Sequence, residues 1–274
     1  MKDLILKLLK ALGIYSILHK AYRKYFEKKM ENEFPSKRQQ IINHYNENFK
    51  CLNIGGGNFL KENWRVLDYV SPQYLYNKDF IDYNINLLEL KQWPIQDNSF
   101  NYIYSSHCLE HLTNEAGLNT FMEACRILKP KGVFRLTLPN IDTAYNAYKN
   151  NDLNFFIENV NAKDASSLLS YFLDFFTNIA SSKIDKSLFV NDFRTLTQED
   201  FLSKYIPKII DLSTHDFSKH INWFNFDKIK MFGNQSGFKE IILSKRGESV
   251  SEEMRTPQFD HKPGNYCIYV DLIK

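Results

Sequence analysis

The sequence is poor in the features that would name a function at once. Its four cysteines, Cys51, Cys108, Cys125 and Cys267, are scattered with no C-x-x-C pair. That pattern speaks against a disulfide framework and a thiolate zinc site, and it suits a reducing, cytoplasmic compartment. No apolar run reaches the ~18 residues that a spanning helix needs. The apolar start, Met1 to Ile17, is broken by Asp3, Lys7 and Lys10, and no small-residue cleavage site follows it, which argues against a signal peptide. A net charge of +3 forms no phosphate-tracking stripe, so no nucleic-acid partner is expected. What remains is an ordinary globular balance over 274 residues, 43% hydrophobic and 24% charged, which can bury a proper core.

Residues 3 to 31 read as a helix. Leu4, Leu8, Leu12, Tyr15 and Leu18 recur three and four apart with basic residues between them. Such a helix either packs on the domain or rests on an anionic membrane surface or a partner. Residues 1–40 are therefore set apart as helix and linker, and 41–274 as the main domain. From residue 50 short apolar runs alternate with helical stretches. Strands are expected at Cys51–Ile54, Val66–Leu67, Phe80–Ile85, Tyr102–Tyr104 and Val133–Leu138, with a helix over 114–128 closed by Pro130 and Gly132. This alternation implies a parallel sheet of wound βαβ units. Residues 142–222 break it with Asn, Asp, Phe and Tyr, and are expected to form a helical insertion, a cap. A helix over Phe226–Gln235 and strands at Lys239–Leu243 and Tyr266–Ile273 follow. With no helix between them, these two strands are expected to be antiparallel, joined by a long loop over 245–264. Ligands of open α/β sheets sit outside the carboxyl ends of the strands, so the cap and this loop are together expected to cover the site.

Two local signals point to a ligand. The run Gly55-Gly56-Gly57 ends the first strand, where glycine lets the backbone turn sharply and approach a ligand with its N–H groups exposed. Gly55-x-Gly57 starts a dinucleotide fingerprint, but Leu60 stands where a third glycine belongs. Asp68 closes the second strand, the position from which a carboxylate grips a ribose diol.

The third signal is a series. Trp93-Pro94-Ile95-Gln96-Asp97-Asn98-Ser99-Phe100 precedes Ser105-Ser106-His107-Cys108-Leu109-Glu110-His111-Leu112, and Ile127-Leu128-Lys129-Pro130-Lys131-Gly132 leads into a strand. In this order these stretches resemble class I S-adenosylmethionine-dependent methyltransferases of the type 11 kind. The resemblance spans roughly residues 50 to 140 and the terminal strand pair. It implies a Rossmann-like, doubly wound, mostly parallel sheet with an antiparallel last strand and a helical insertion after strand 5. It further implies that Gly55, Gly56 and Gly57 line the methionyl and ribosyl part of S-adenosylmethionine, that Asp68 holds the ribose, that Asn84 and Asn86 edge the adenine, and that Ser106 and His107 close the site. Asn86, Asn101 and Lys131 depart from the family pattern, in which Asp, Asp and Gly are usual. The amino-terminal helix, the S-S-H-x-x-E-H loop and the finish from Phe259 to Val270 are also similar to methyltransferases of bacterial surface-polysaccharide (capsule) clusters, which modify sugars or phosphate-containing groups.

His107-x-x-Glu110-His111 also spells the H-x-x-E-H pattern of some zinc peptidases. That chemistry needs the pattern on a helix and a further carboxylate ligand. Just after a strand, it is read as structural, and no metal is expected. Methyl transfer from a sulfonium to a sugar hydroxyl profits from a general base, for which His107 is the first candidate and Asp142, His215 and His220 follow. An anionic acceptor needs cations instead, and Arg194, Lys219, Arg255, His261 and Lys262 are available. Two other readings stay open: a nicotinamide-dependent oxidoreductase, and a non-catalytic methyltransferase-like binding module.

Overall fold

A computed structural model describes residues 50–57, 59, 61–70, 81–160, 168–177, 184–212, 215–256, 258–260 and 265–274. The expected amino-terminal helix, Leu60, His261 and Lys262 lie outside the described residues. The sheet has seven strands: β1 (Cys51–Ile54), β2 (Trp64–Asp68), β3 (Tyr83–Asn84), β4 (Phe100–Ser106), β5 (Leu128–Pro139), β6 (Glu240–Ser244) and β7 (Cys267–Ile273). Their order is β3-β2-β1-β4-β5-β7-β6. The first five pair in parallel, whereas β7 runs antiparallel between β5 and β6, as the missing helix between the last two strands required. The switch point, where β1 lies between β2 and β4, puts the glycine loop at the crevice where ligands of such sheets bind. Every residue of β1 is buried, which is the pattern of a strand covered on both faces.

Helix α1 (Asn114–Ile127) is capped by Thr113, whose side chain accepts from the Ala116 N–H. Its buried face, with Ala116, Phe121, Ala124 and Ile127, joins Leu52, Ile54, Ile103 and Phe134 of the sheet in the main core. The expected stop at Pro130 and Gly132 is in fact part of β5, which begins directly after α1. The ladder between β4 and β5 shifts register there, with Phe100 opposite Leu128 and Tyr102 opposite Val133. Lys131 has φ 66°, and a Cβ on Gly132 would come within 2.8 Å of the Lys129 carbonyl. Gly132 thus serves a β-bulge, not a helix end. Helix α7 (Phe226–Ser236) packs beside α1 and stops at Gly237, in the left-handed region at φ 90°.

Between β5 and α7 the chain forms α2 (Ile141–Lys149), α3 (Leu153–Val160), α4 (Leu168–Leu173), α5 (Lys186–Thr195) and α6 (Gln198–Lys204). These helices bury a core of their own, built mainly from Phe156, Phe172, Phe176, Phe189, Phe201 and Trp223. Aromatic density explains how segments this short hold together: the rings bury large apolar areas and meet one another edge to face, as Phe189 and Phe193 meet Phe201, or stacked, as Phe172 meets Phe201. The described part of the 245–264 loop does not join this insertion. It lies across a face of the sheet, where Met254 and Phe259 pack with Cys51, Trp64, Tyr104 and Val133.

Arg135, in the middle of β5, is fully buried and explains how that loop is fastened. Its guanidinium bonds to Asp260 (3.1 Å from Nε to Oδ2), Asp271 on β7 (3.0 Å) and the Lys245 carbonyl (3.0 Å). The two carboxylates have further donors around them. The Thr137 hydroxyl and the Gly247 N–H bond to Asp260, and the Ser249 hydroxyl bonds to Asp271.

Candidate functional site

The loop after β1 turns through Gly55 at φ 68° and Gly57 at φ 54°, and among the described residues no helix separates β1 from β2. Gly55 has no room for a side chain, since a Cβ would lie 2.5 Å from Cys108 Sγ. The loops after β1 and β4 therefore touch. Asp68, at the end of β2, accepts from the Gly57 N–H and the Tyr69 N–H, each at 2.7 Å. Burial pushes its carboxyl above the usual range, while those two bonds pull it back. Two carboxylate oxygens offer about four lone pairs, so the bonds leave acceptor capacity for a ligand diol. Asn84 accepts from the Val70 N–H and Asn86 from the Leu88 N–H, so both fix the loops beyond β2 and β3.

After Ser106 the chain enters His107 at φ 52° and then a 3-10 turn over Leu109–His111. The His107 ring stacks on Tyr266 at 5.6 Å. Its Nδ1 lies 3.2 Å from Glu110 Oε1 and its Nε2 3.3 Å from Cys267 Sγ. Burial would raise the Glu110 carboxyl, but His107 and the neighbouring imidazoles outweigh it and hold it at about 2. An ionised carboxylate only accepts, so Nδ1 carries a hydrogen, and in the neutral ring Nε2 is the lone pair. Glu110 also reaches a second group. Its backbone carbonyl accepts from the Ile221 and Asn222 N–H groups, which draws His220 to 3.9 Å from Glu110 Oε1 and against the His111 ring.

Two ring contacts join the insertion to these strand ends. Phe217 meets Tyr69 at 5.2 Å, just past Asp68, and Phe175 meets Tyr266 at 5.1 Å, behind His107.

Residues 59–136 match the family model described as a methyltransferase domain. The match begins just after the glycine run and ends within β5, taking in Asp68 and the whole His107–His111 segment. Over that stretch the chain is similar to a methyltransferase domain. Among solved structures, the chain is similar to a SAM-dependent methyltransferase from Archaeoglobus fulgidus at 14% identity and TM-score 0.43, over 92% of this chain and 100% of that one. It is also similar to one from Mesorhizobium loti at 13% identity and TM-score 0.41, over 86% of this chain and 96% of that one. No curated protein matches the sequence.

The other residues singled out as acceptor contacts do not all gather at His107. His215 is buried with Nε2 unpartnered, its ring against Phe217 in the segment that covers Tyr69. Asp142 instead lines a cavity of about 660 Å³ with Asn146, Gln198, Trp223, Asn225 and Lys228, and it accepts from Gln198 and Asn225. Arg194 is exposed in the last turn of α5. Arg255 is exposed within the sheet-face loop, where its Nε–H donates to the Ser249 carbonyl at 2.6 Å. One arginine is on the outside of the insertion, and the other is part of a loop that the Arg135 cluster holds to the sheet.

Sequence reasoning passed over Lys228. Its ammonium is buried over the Trp223 ring at 4.0 Å and donates to Asn222 at 2.7 Å. Burial pulls it down to about 7. A lysine with a depressed folded value binds fewer protons than the unfolded chain between about 7 and its unfolded value near 10.4. Stability should therefore rise with pH across that window, by at most about 1.4 kcal/mol per unit. Lys228→Met should flatten this slope in urea melts taken from pH 7 to 10; an unchanged slope would mean that the lysine is charged in the fold.

Proposed function

We propose that the chain is an O-methyltransferase for a sugar-bearing small molecule or glycan, with His107 as general base. The observation that carries this reading is the Glu110–His107 pair at the end of β4, placed beside the glycine loop by the Cys108–Gly55 contact. Gly55, Gly56 and Gly57 would line the cofactor, Asp68 would hold its ribose, and Asn84 and Asn86 would border the adenine. The strand-end crevice fits this group: the glycines keep the loop free of side chains, and a partly buried carboxylate with spare lone pairs faces it. Bound there, S-adenosylmethionine supplies an electrophilic methyl group.

The chain's own part is to position the acceptor, exclude water and take a proton. His107 Nε2 receives the hydroxyl proton after giving up its weak contact with the Cys267 thiol. Glu110 holds the ring in this tautomer and stabilises the imidazolium that forms, because its charge is buried beside Nδ1. The cap segments around Phe175 and 215–222 would cover the reacting groups, with Ser106, His215 and His220 on the acceptor side. A neutral hydroxyl acceptor is favoured over a phosphate because neither Arg194 nor Arg255 bonds to His107, Glu110 or Asp68. The sugar class rests on the likeness to surface-polysaccharide methyltransferases, and Asp142 with its polar cavity would serve a more distant part of such an acceptor.

Asp68→Ala tests the cofactor half. Losing a charged acceptor of ribose hydrogen bonds, each worth roughly 1.5–3 kcal/mol, should weaken S-adenosylhomocysteine at least about tenfold in calorimetry. Equal affinity in the variant would remove Asp68 from the cofactor site.

A further inference from the structure

We propose that Glu110, His111 and His220 hold one divalent transition-metal ion of the zinc class. One donor atom from each of the three lies within 4.8 Å of those of the other two. His220 Nε2 is 3.9 Å from Glu110 Oε1. Ligands about 2.0–2.2 Å from a tetrahedral zinc stand roughly 3.4 Å apart, so the donors need to draw in by up to about 1.4 Å.

Proximity alone would make this an ordinary polar cluster. Two further features set it apart. First, both imidazoles are oriented from behind. His111 Nδ1 is 3.0 Å from the Lys219 carbonyl and His220 Nδ1 is 3.3 Å from the Phe175 carbonyl. A carbonyl only accepts, so each Nδ1 carries a hydrogen, and in the neutral ring Nε2 is the lone pair. Metal-binding histidines are held this way, with the second nitrogen donating to a backbone carbonyl. Second, Glu110 is 1% exposed, and its Oε2 is buried without a hydrogen-bond partner. Its Oε1 already serves His107, so a cation at Oε2 would satisfy an atom that the protein leaves bare.

Charge and ligand count agree with the assignment. Two neutral imidazoles and one carboxylate suit zinc and its neighbours in the first transition row better than magnesium or calcium, which take oxygen ligands. Three protein ligands also leave a position for water or an acceptor oxygen, as in catalytic and unlike structural zinc sites. The donors come from both sides of a seam. Glu110 and His111 follow β4, whereas His220 lies on the segment returning from the helical insertion. The ion would pin that segment over the strand ends. The H-x-x-E-H spelling is not how the site is built, because His107 turns its Nδ1 to Glu110 and its place is taken by the distant His220.

The test uses the full chain, stripped with chelator and titrated with zinc, with cobalt as a spectroscopic probe. One ion per chain is expected, with cobalt giving the intense visible bands of a tetrahedral site. His111→Ala and His220→Ala should each weaken zinc at least about hundredfold, since even outer partners of metal ligands cost ten- to hundredfold. Glu110→Gln should act likewise, and it serves where an alanine variant loses its native circular dichroism. S-adenosylhomocysteine binding measured on the same samples separates this result from the methyl-transfer reading. No stoichiometric zinc in the wild-type chain, or zinc bound equally by His220→Ala and Glu110→Gln, would overturn the proposal.

Discussion

Replacing His107 with alanine is expected to lower the rate of methyl transfer by roughly 10²–10⁴-fold, the range a positioned general base contributes. S-adenosylhomocysteine affinity should change little, because the glycine loop and Asp68 keep their own bonds. The reason for so large a loss is that the groups nearest the His107 ring cannot take over. Glu110 faces Nδ1 from the far side of the ring, Cys267 is a buried thiol, and burial pushes the thiol of Cys108 far up and away from use as a base. A near-normal rate in the variant would point to an acceptor that is already anionic and needs no base.

The second large effect concerns stability. Arg135→Ala should cost about 3–5 kcal/mol, because it leaves Asp260 and Asp271 as buried carboxylates without their cation. In a chain of this size that corresponds to a fall in melting temperature of about 2–4 °C per kcal/mol. The sheet-face loop should loosen first. Hydrogen exchange ought to rise at Gly247 and Val250, whose N–H groups bond to the two carboxylates. Arg135→Met combined with Asp260→Asn and Asp271→Asn should recover much of the loss, since the stranded charges go with the arginine. An Arg135→Ala variant as stable as the wild type would mean that the cluster adds nothing to the fold.

Much of the sheet is legible in the sequence because each strand is a short apolar run ended by a residue with its own geometry. Cys51–Ile54 runs into glycines, Val66–Leu67 into Asp68, and the fifth strand into Pro139. The antiparallel last pair follows from having no crossover helix. The start of β5 is not legible: Leu128 to Gly132 looks like a helix stop followed by a turn, and only the register shift against β4 makes it strand. The long loop reads as a second cover for the site because its anchor is invisible locally. Arg135 meets Asp260 and Asp271 from 125 and 136 positions away. His111 looks isolated for the same reason, since His220 arrives through backbone bonds to the Glu110 carbonyl from a segment far along the chain. By contrast, the glycine loop and Asp68 are readable because both lie at neighbouring strand ends, and the loop N–H bonds to the carboxylate directly.

The central claim is that the crevice at Gly55–Gly57 and Asp68 is built for S-adenosylmethionine. The measurement that tests it most directly is calorimetric titration of the full chain with S-adenosylhomocysteine and, separately, with NAD. The result expected is one site per chain for S-adenosylhomocysteine, weakened in Asp68→Ala, and no heat of binding for NAD. Binding of NAD alone, or of neither ligand by a folded chain, would contradict it.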